Sequence, residues 1–405
     1  MSDPGAITVA MLLSCDSFES FFGDVLRLDR ERYLADYRND WSWYYARGLA
    51  DNGLRPILYL PSLHESGLHK TSAGIDVRFL PLPAWYRPIA KARRAFRATR
   101  WSLYVQERVN AAALLSPLRT ALEEDGADLL YCQEYWGGRF DHLVHRVNAP
   151  VTAQDHGGVA AGTVKWFKRS AFARAETCYG QTDDECRLIE QHGGRAALQP
   201  NGCDLAQFCP DPAVIRSKTI LTVARLTDKQ KRTSDLIRAM TKLGDDWTLD
   251  IVGTGPDKAT LEALVAELNL VGRVRFQGFQ SRTGVRDFLR RCGVYAMPSS
   301  NEAVCIALLE AMGCGASVVC TRIRAFEPLI DDGVNGRLVG VGDVDALAAG
   351  IEDAWQFRAT RGAAATDTVA ERYDTRVLYK RLADSLRASA GVRLEPAAEL
   401  VGAVA

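Results

Sequence analysis

The sequence predicts an α/β protein built from two Rossmann-like, doubly wound domains, and three observations carry that prediction. A chain of 405 residues, 47% hydrophobic and 25% charged, is too long for one ordinary core and too apolar for disorder. Short β-rich runs alternate with longer helical patterns, which is the order of a parallel sheet wrapped by helices. The alternation pauses once, in the stretch from Cys209 to Pro212, where proline limits helix and strand alike, and then restarts.

In the first half Ile7 to Cys15, Pro56 to Leu60, Val77 to Leu80, Leu129 to Cys132, Val151 to Gln154 and Ala197 to Gln199 read as strands. After the pause come Ile220 to Ala224, Leu249 to Val252, Val274 to Phe276, Val294 to Met297 and Ser317 to Cys320, each followed by a helical segment. The domains are expected at residues 1–205 and 206–374. Beyond them Val377, Leu378, Leu382 and Leu386 recur at helical spacing, so a helix over about 375–390 is expected to pack back on the first domain. The Ala/Gly-rich tail after Arg387 is expected to fray.

Composition excludes several classes. Fifty basic residues balance fifty acidic ones, so no overall field draws the protein to nucleic acid. The ten cysteines are scattered without a Cys-x-x-Cys pair and read as reduced core residues. No run of about 18 apolar residues occurs, and no basic stretch precedes the short apolar run at the N-terminus, so a cytoplasmic protein without a membrane span is expected. One local patch stands out: Arg87, Lys91, Arg93, Arg94, Arg97 and Arg100 lie in a segment without an acid, flanked by Trp85, Tyr86, Trp101 and Tyr104. As a single helix it would carry its cations, with Trp101 and Tyr104, on one broad face. Such a face suits peripheral contact with anionic lipid or a phosphorylated acceptor, or is simply solvated.

The densest chemical signal runs from Met297 to Gly315. A strand ends at Pro298, a polar loop carries Glu302, and an apolar helix holding Glu310 follows. Free amides at the start of that helix suit an anionic diphosphate, with Val304, Cys305 and Ile306 supplying them. If helical throughout, the two carboxylates stand about 12 Å apart, which would let Glu302 meet a sugar and Glu310 a ribose. Taken singly, Glu310 reads as a paired helix residue and Glu302 as a helix-start carboxylate. Together with the surrounding motifs they read as a donor site.

Those motifs carry a resemblance. The glutamates resemble the Glu, seven residues, Glu signature of retaining glycosyltransferases of the GT-B fold, family 4 type (glycosyl transferases group 1). Arg225 and Lys231 after the strand at Leu221, Gly253 and Gly255 before Pro256, and Pro200, Asn201, Gly202, Asp204 and Phe208 match the family in order, as do Glu327, Asp332, Gly333, Asn335 and Gly336. The similarity is strong from about Gln199 to Arg337 and faint before it. The resemblance implies two Rossmann-like domains facing a cleft, a nucleotide-sugar donor, expected to be a UDP-sugar, and same-face transfer to an acceptor hydroxyl without a covalent nucleophile. It implies sugar contacts for Glu302, ribose contacts for Glu310, and Arg225 and Lys231 on the leaving diphosphate in place of a metal. It also implies that His156, after the strand at Val151, faces the donor sugar, with Asp155 beside it to orient it. The acceptor is expected to be a glycolipid, a cell-surface glycan or a natural product.

No cofactor or metal is expected. His142 and His145 share one helical face without a third ligand, and Asp343 and Asp345 precede a helical pattern, where capping is the expected role. With Lys258 at the third glycine position, the Gly253 and Gly255 turn does not complete a dinucleotide fingerprint. The chain departs from the family where Ser14, Cys15 and Asp16 replace a glycine pair and lead into an insertion to about Asp40, and where Ala303, Val304 and Cys305 follow Glu302. Those departures keep two alternatives open: a non-catalytic sugar-nucleotide-binding or scaffold protein, and a phosphorylase or hydrolysing epimerase of the same fold.

Overall fold

The computed structural model describes residues 6–37, 41–92, 99–156, 165–302 and 305–391. It divides into two compact units, one running to Gln199 and resumed from Tyr379, the other spanning Pro200–Leu378.

The first unit is built on eight strands: β1 (Thr8–Leu12), β2 (Arg55–Ser62), β3 (Gly67–Lys70), β4 (Asp76–Pro81), β5 (Leu129–Cys132), β6 (Val151–Gln154), β7 (Thr177–Gly180) and β8 (Ala196–Leu198). Their order is β3-β4-β2-β1-β5-β6-β7-β8, parallel throughout except for the edge pair β3 and β4. Strand β1 shows why these runs are unbroken in hydrophobicity. Ala10 and Leu12 enter a core shared with Tyr135, Trp136 and Phe140, whereas Val9 and Met11 enter a second one with Phe22, Trp43 and Tyr45. A strand buried on both faces has no polar side to alternate. The insertion after β1 folds as a π-helical turn, Glu19–Gly23, and a helix, Arg30–Ala35. Its Phe18, Phe22 and Tyr33 rings pack edge to face or stacked against one another and against Phe79.

The second unit holds β9 (Ser217–Val223), β10 (Thr248–Val252), β11 (Val274–Gly278), β12 (Cys292–Met297), β13 (Ser317–Thr321) and β14 (Arg337–Val339), all parallel, in the order β11-β10-β9-β12-β13-β14. Leu221, Tyr295 and Met297 face one core, and Ile220, Val294 and Ala296 the other.

The division falls at Gln199 rather than at 205. Residues 200–208 are tied to the second unit because Cys203 N–H donates to the Tyr373 carbonyl (2.8 Å), Thr375 N–H donates to the Cys203 carbonyl (3.1 Å), and Phe208 is fully buried in that unit's core. The last helix, Thr375–Ala390, places Leu382, Ala383 and Leu386 in the first unit's core, while Val377 is exposed. All ten cysteines are free thiols. No helix among the described residues is long and apolar enough to cross a membrane.

Candidate functional site

In a doubly wound sheet, ligands gather beyond the carboxyl ends of the strands at the point where the strand order reverses. In the second unit the chain leaves β9 toward β10 and β11, then returns to the other side of β9 as β12. The reversal therefore lies between β9 and β12. Residues 224–232 follow β9 and residues 298–302 follow β12, so Lys231 and the first glutamate singled out in the sequence meet at this point.

The loop after β9 is fixed by backbone contacts. Ala224 N–H donates to Val252 O (3.0 Å) and Leu226 N–H to Thr254 O (3.0 Å). The two glycines allow that approach: a Cβ on Gly253, whose φ is +130°, would lie 1.9 Å from the Ala224 carbonyl, and one on Gly255 would lie 2.3 Å from that of Leu226. Arg225 is exposed, with no side-chain partner among the described residues. A short helix, Asp228–Lys231, follows and breaks at Arg232, which takes a left-handed conformation with φ +50°. The three neighbouring cations part here. Lys229 is exposed, Arg232 donates to Asp235 (2.6 Å), and Lys231 Nζ lies 2.5 Å from Glu302 Oε1. The Lys231 and Glu302 side chains are only 16% and 8% exposed. Ser300 N–H donating to the Gln230 carbonyl (2.8 Å) holds the two loops together beside this ion pair.

Glu302 and Glu310 do not share a continuous helix, so the separation expected from helical rise does not apply. The helix spans Ile306–Gly313, with Cys305 as its N-cap, and no side chain caps its first amides. The end of a helix without a side-chain cap keeps donors and a partial positive charge available to an anion. Burial pushes the Cys305 thiol up to about 11, so near neutrality it adds no negative charge there. Ile306 is half-buried in the first turn. Val304 lies outside the described residues. Glu310, 8% exposed, is pushed up to about 7 by burial, opposed by the Arg282 guanidinium, whose Nη2 lies 3.1 Å from Oε1. Arg282 had no sequence signal. Asp332 and Asn335 instead fix a turn ahead of β14, Asp332 accepting from Leu338 N–H (3.1 Å) and Asn335 donating to Leu329 O (3.1 Å).

His156 belongs to the first unit, directly after β6. Its ring stacks on Trp41 with centroids 3.6 Å apart. Gln181 is one partner of its ring. Gln181 Nε2 lies 3.1 Å from the Asp155 carbonyl, which can only accept, so this atom is the amide nitrogen. The same nitrogen lies 2.9 Å from His156 Nδ1, which therefore accepts and leaves the ring proton on Nε2.

Two sequence expectations are corrected and one is resolved. Arg87 to Arg100 is not one helix: a helix is described over Tyr86–Ala92, and Thr99, in extended conformation, caps a new one at Arg100 through a reciprocal bond pair with Ser102. Arg93, Arg94 and Arg97 lie outside the described residues, and Arg87 donates to the Leu63 carbonyl (2.9 Å). Tyr104 does not share an exposed face with Trp101. It is buried against Phe167 and donates to Asp141 (3.0 Å), whereas Trp101 is 60% exposed. Asp343 caps the helix Val344–Gln356, accepting from Ala346 N–H (2.9 Å).

Comparison with known proteins agrees with this geometry. Residues 212–364, which lie within the second unit, match the family described as Glycosyl transferases group 1. A phosphatidyl-myo-inositol mannosyltransferase of Mycolicibacterium smegmatis is 33% identical over 205 residues, which is 48% of this chain and 52% of that protein. The match thus spans about half the length of that relative. Among solved structures, sucrose-phosphate synthase from Thermosynechococcus elongatus aligns with a TM-score of 0.71 at 19% identity, over 94% of this chain and 98% of that one. Anabaena HepE in complex with UDP aligns with a TM-score of 0.70 at 17% identity, over 94% of this chain and 100% of that one. The fold is GT-B, two Rossmann-like α/β domains.

Proposed function

We propose that this protein is a retaining glycosyltransferase that takes a nucleotide sugar as donor. The observation that carries this reading is the Lys231–Glu302 pair held between the loops of β9 and β12, beside the uncapped start of the helix at Ile306. A cation and a helix N-terminus suit a diphosphate, and a carboxylate one side chain away suits sugar hydroxyls. Arg225 and Lys231 bind the diphosphate as charge grows on it during departure, so no metal is required. Glu302 holds the sugar and Glu310 the ribose, while Gly253 and Gly255 let the backbone carrying Arg225 lie close. His156, with its proton on Nε2, is in the tautomer that donates to a sugar hydroxyl. UDP in the HepE complex makes a UDP-sugar the first donor to try. The name of the mycobacterial relative makes a lipid-borne polyol the first acceptor. A cytoplasmic protein meeting anionic membrane through the basic segment is consistent with that acceptor.

The test is product analysis with UDP-sugars, with and without an acceptor panel, in phosphate and in phosphate-free buffer. Transfer predicts nucleotide release that depends on acceptor, with the anomeric configuration of the donor kept in the product. Release into phosphate or water without acceptor would replace the reading by phosphorolysis or hydrolysis, and tight binding with no turnover by a non-catalytic role.

A further inference from the structure

We infer that Arg282 is a positioning residue that holds one carboxylate oxygen of Glu310 and leaves the other to accept from the ribose of the bound nucleotide. The inference rests on the ribose role proposed for Glu310.

The geometry is specific. Arg282 opens the helix Arg282–Arg291, whose start is fixed by Ser281, the N-cap that accepts from Gly284 N–H (3.2 Å). The guanidinium lies over the Phe208 ring, 4.9 Å from its centroid, and reaches Glu310 Oε1 at 3.1 Å. Glu310 Oε2 has no partner among the described residues. A carboxylate that is nearly buried, held at one oxygen by a stacked guanidinium and open at the other, can take two ribose hydroxyls without first being oriented. The segment 200–208 thereby gains a role: it supplies the Phe208 platform and is anchored to the second unit through Cys203.

The charge balance at Glu310 makes the arrangement consequential. Burial disfavours the carboxylate and Asp204 adds to that, with Arg282 opposing both. The other titratable groups facing Glu310 are the Cys203 and Cys314 thiols and the Tyr295 phenol, all pushed up by burial and uncharged near neutrality. Strand β13 brings Cys320, which senses Cys305 and Glu302 rather than Glu310. The helix Arg358–Arg372 meets this helix through Thr366, which donates to the Met312 carbonyl (3.1 Å). Among the described residues Arg282 is thus the cation that opposes burial at Glu310.

The experiment is calorimetric titration of the full chain with UDP-glucose from pH 6 to 9 for wild type, Arg282→Met, Arg282→Lys and Glu310→Gln. Comparison between variants cancels any ionisation of the ligand. For wild type the affinity should rise with pH through about 7, where Glu310 ionises. Arg282→Met should move that rise upward by ~1 pH unit or more, weakening binding severalfold at pH 7 and recovering toward wild type at pH 9. Arg282→Lys should fall between the two, and Glu310→Gln should bind weakly without a rise of its own. A loss in Arg282→Met that is equal at every pH would overturn the inference, because it would mean direct contact or lost structure. So would an unshifted rise. Wild-type binding by Glu310→Gln at every pH would instead remove the ribose assignment beneath it.

Discussion

Replacing Glu302 by glutamine should tighten binding of a nucleoside diphosphate while slowing turnover of the sugar nucleotide. Lys231 pairs with Glu302 at 2.5 Å, and both side chains are largely withdrawn from water. Two unit charges 4 Å apart attract by about 4 kcal/mol at an effective dielectric of about 20. Desolvation and the residual exposure of Lys231 reduce this to a net coupling of ~1–2 kcal/mol. Glutamine has nearly the same shape but releases that coupling, and it also removes a negative charge from beside the diphosphate. The expected gain in affinity is therefore about 5- to 30-fold. Lys231→Met should weaken binding by about 10- to 100-fold through loss of a charged contact, and the double variant should resemble Lys231→Met. Turnover by Glu302→Gln should fall by a similar factor, because the carboxylate contact to the sugar is lost. Titration calorimetry with UDP and initial rates with the active sugar nucleotide measure the two effects. Unchanged UDP affinity in both single variants would show that this pair does not face the nucleotide.

Three further outcomes follow. Activity should survive EDTA, since Arg225, Lys231 and the helix start at Ile306 provide the positive charge; loss restored only by Mg²⁺ or Mn²⁺ would refute that account of the leaving group. Neutralising Arg93, Arg94 and Arg97 together should release the protein from anionic liposomes by roughly two orders of magnitude, at about 1 kcal/mol per cation, and added salt should do the same. A wild-type protein that ignores such liposomes at low salt would end the membrane proposal. Glu310 is pushed up from 4.5 to about 7, so the folded protein holds this proton more tightly than the unfolded chain between those values. This contribution favours the folded state as pH falls through that window and is lost as pH rises to about 7. Urea midpoints of wild type relative to Glu310→Gln should accordingly decline from pH 5 to pH 8, on the order of 2 kcal/mol in all; parallel pH dependence of the two would contradict it.

The sheets were largely legible because their central strands are buried on both faces and so read as continuous apolar runs. What escaped was short or marginal. Strands β14 and β3 lie at the edges of their sheets, and β3 alternates between half-buried and exposed positions. The break at Thr99 was missed because its partner at the third helical position is Ser102, not the glutamate or glutamine of the usual capping box.

The site shows a different limit. A sequence displays which charges are present but not which are already taken, so Lys229, Lys231 and Arg232 were equivalent candidates on composition alone. Their ranking comes from one local event: the chain turns left-handed at Arg232, which ends one helix and begins another, and Arg232 falls to Asp235 within its own turn. Lys231, on the last turn before that break, is left to meet Glu302. The Glu310–Arg282 contact has the same character, since it joins two helices through a helix start set by Ser281 and a ring supplied from residue 208. Motif spacing can therefore nominate the carboxylates, but the cations that pair with them are selected by tertiary packing, and the specificity of the proposed donor site is best sought in those partners.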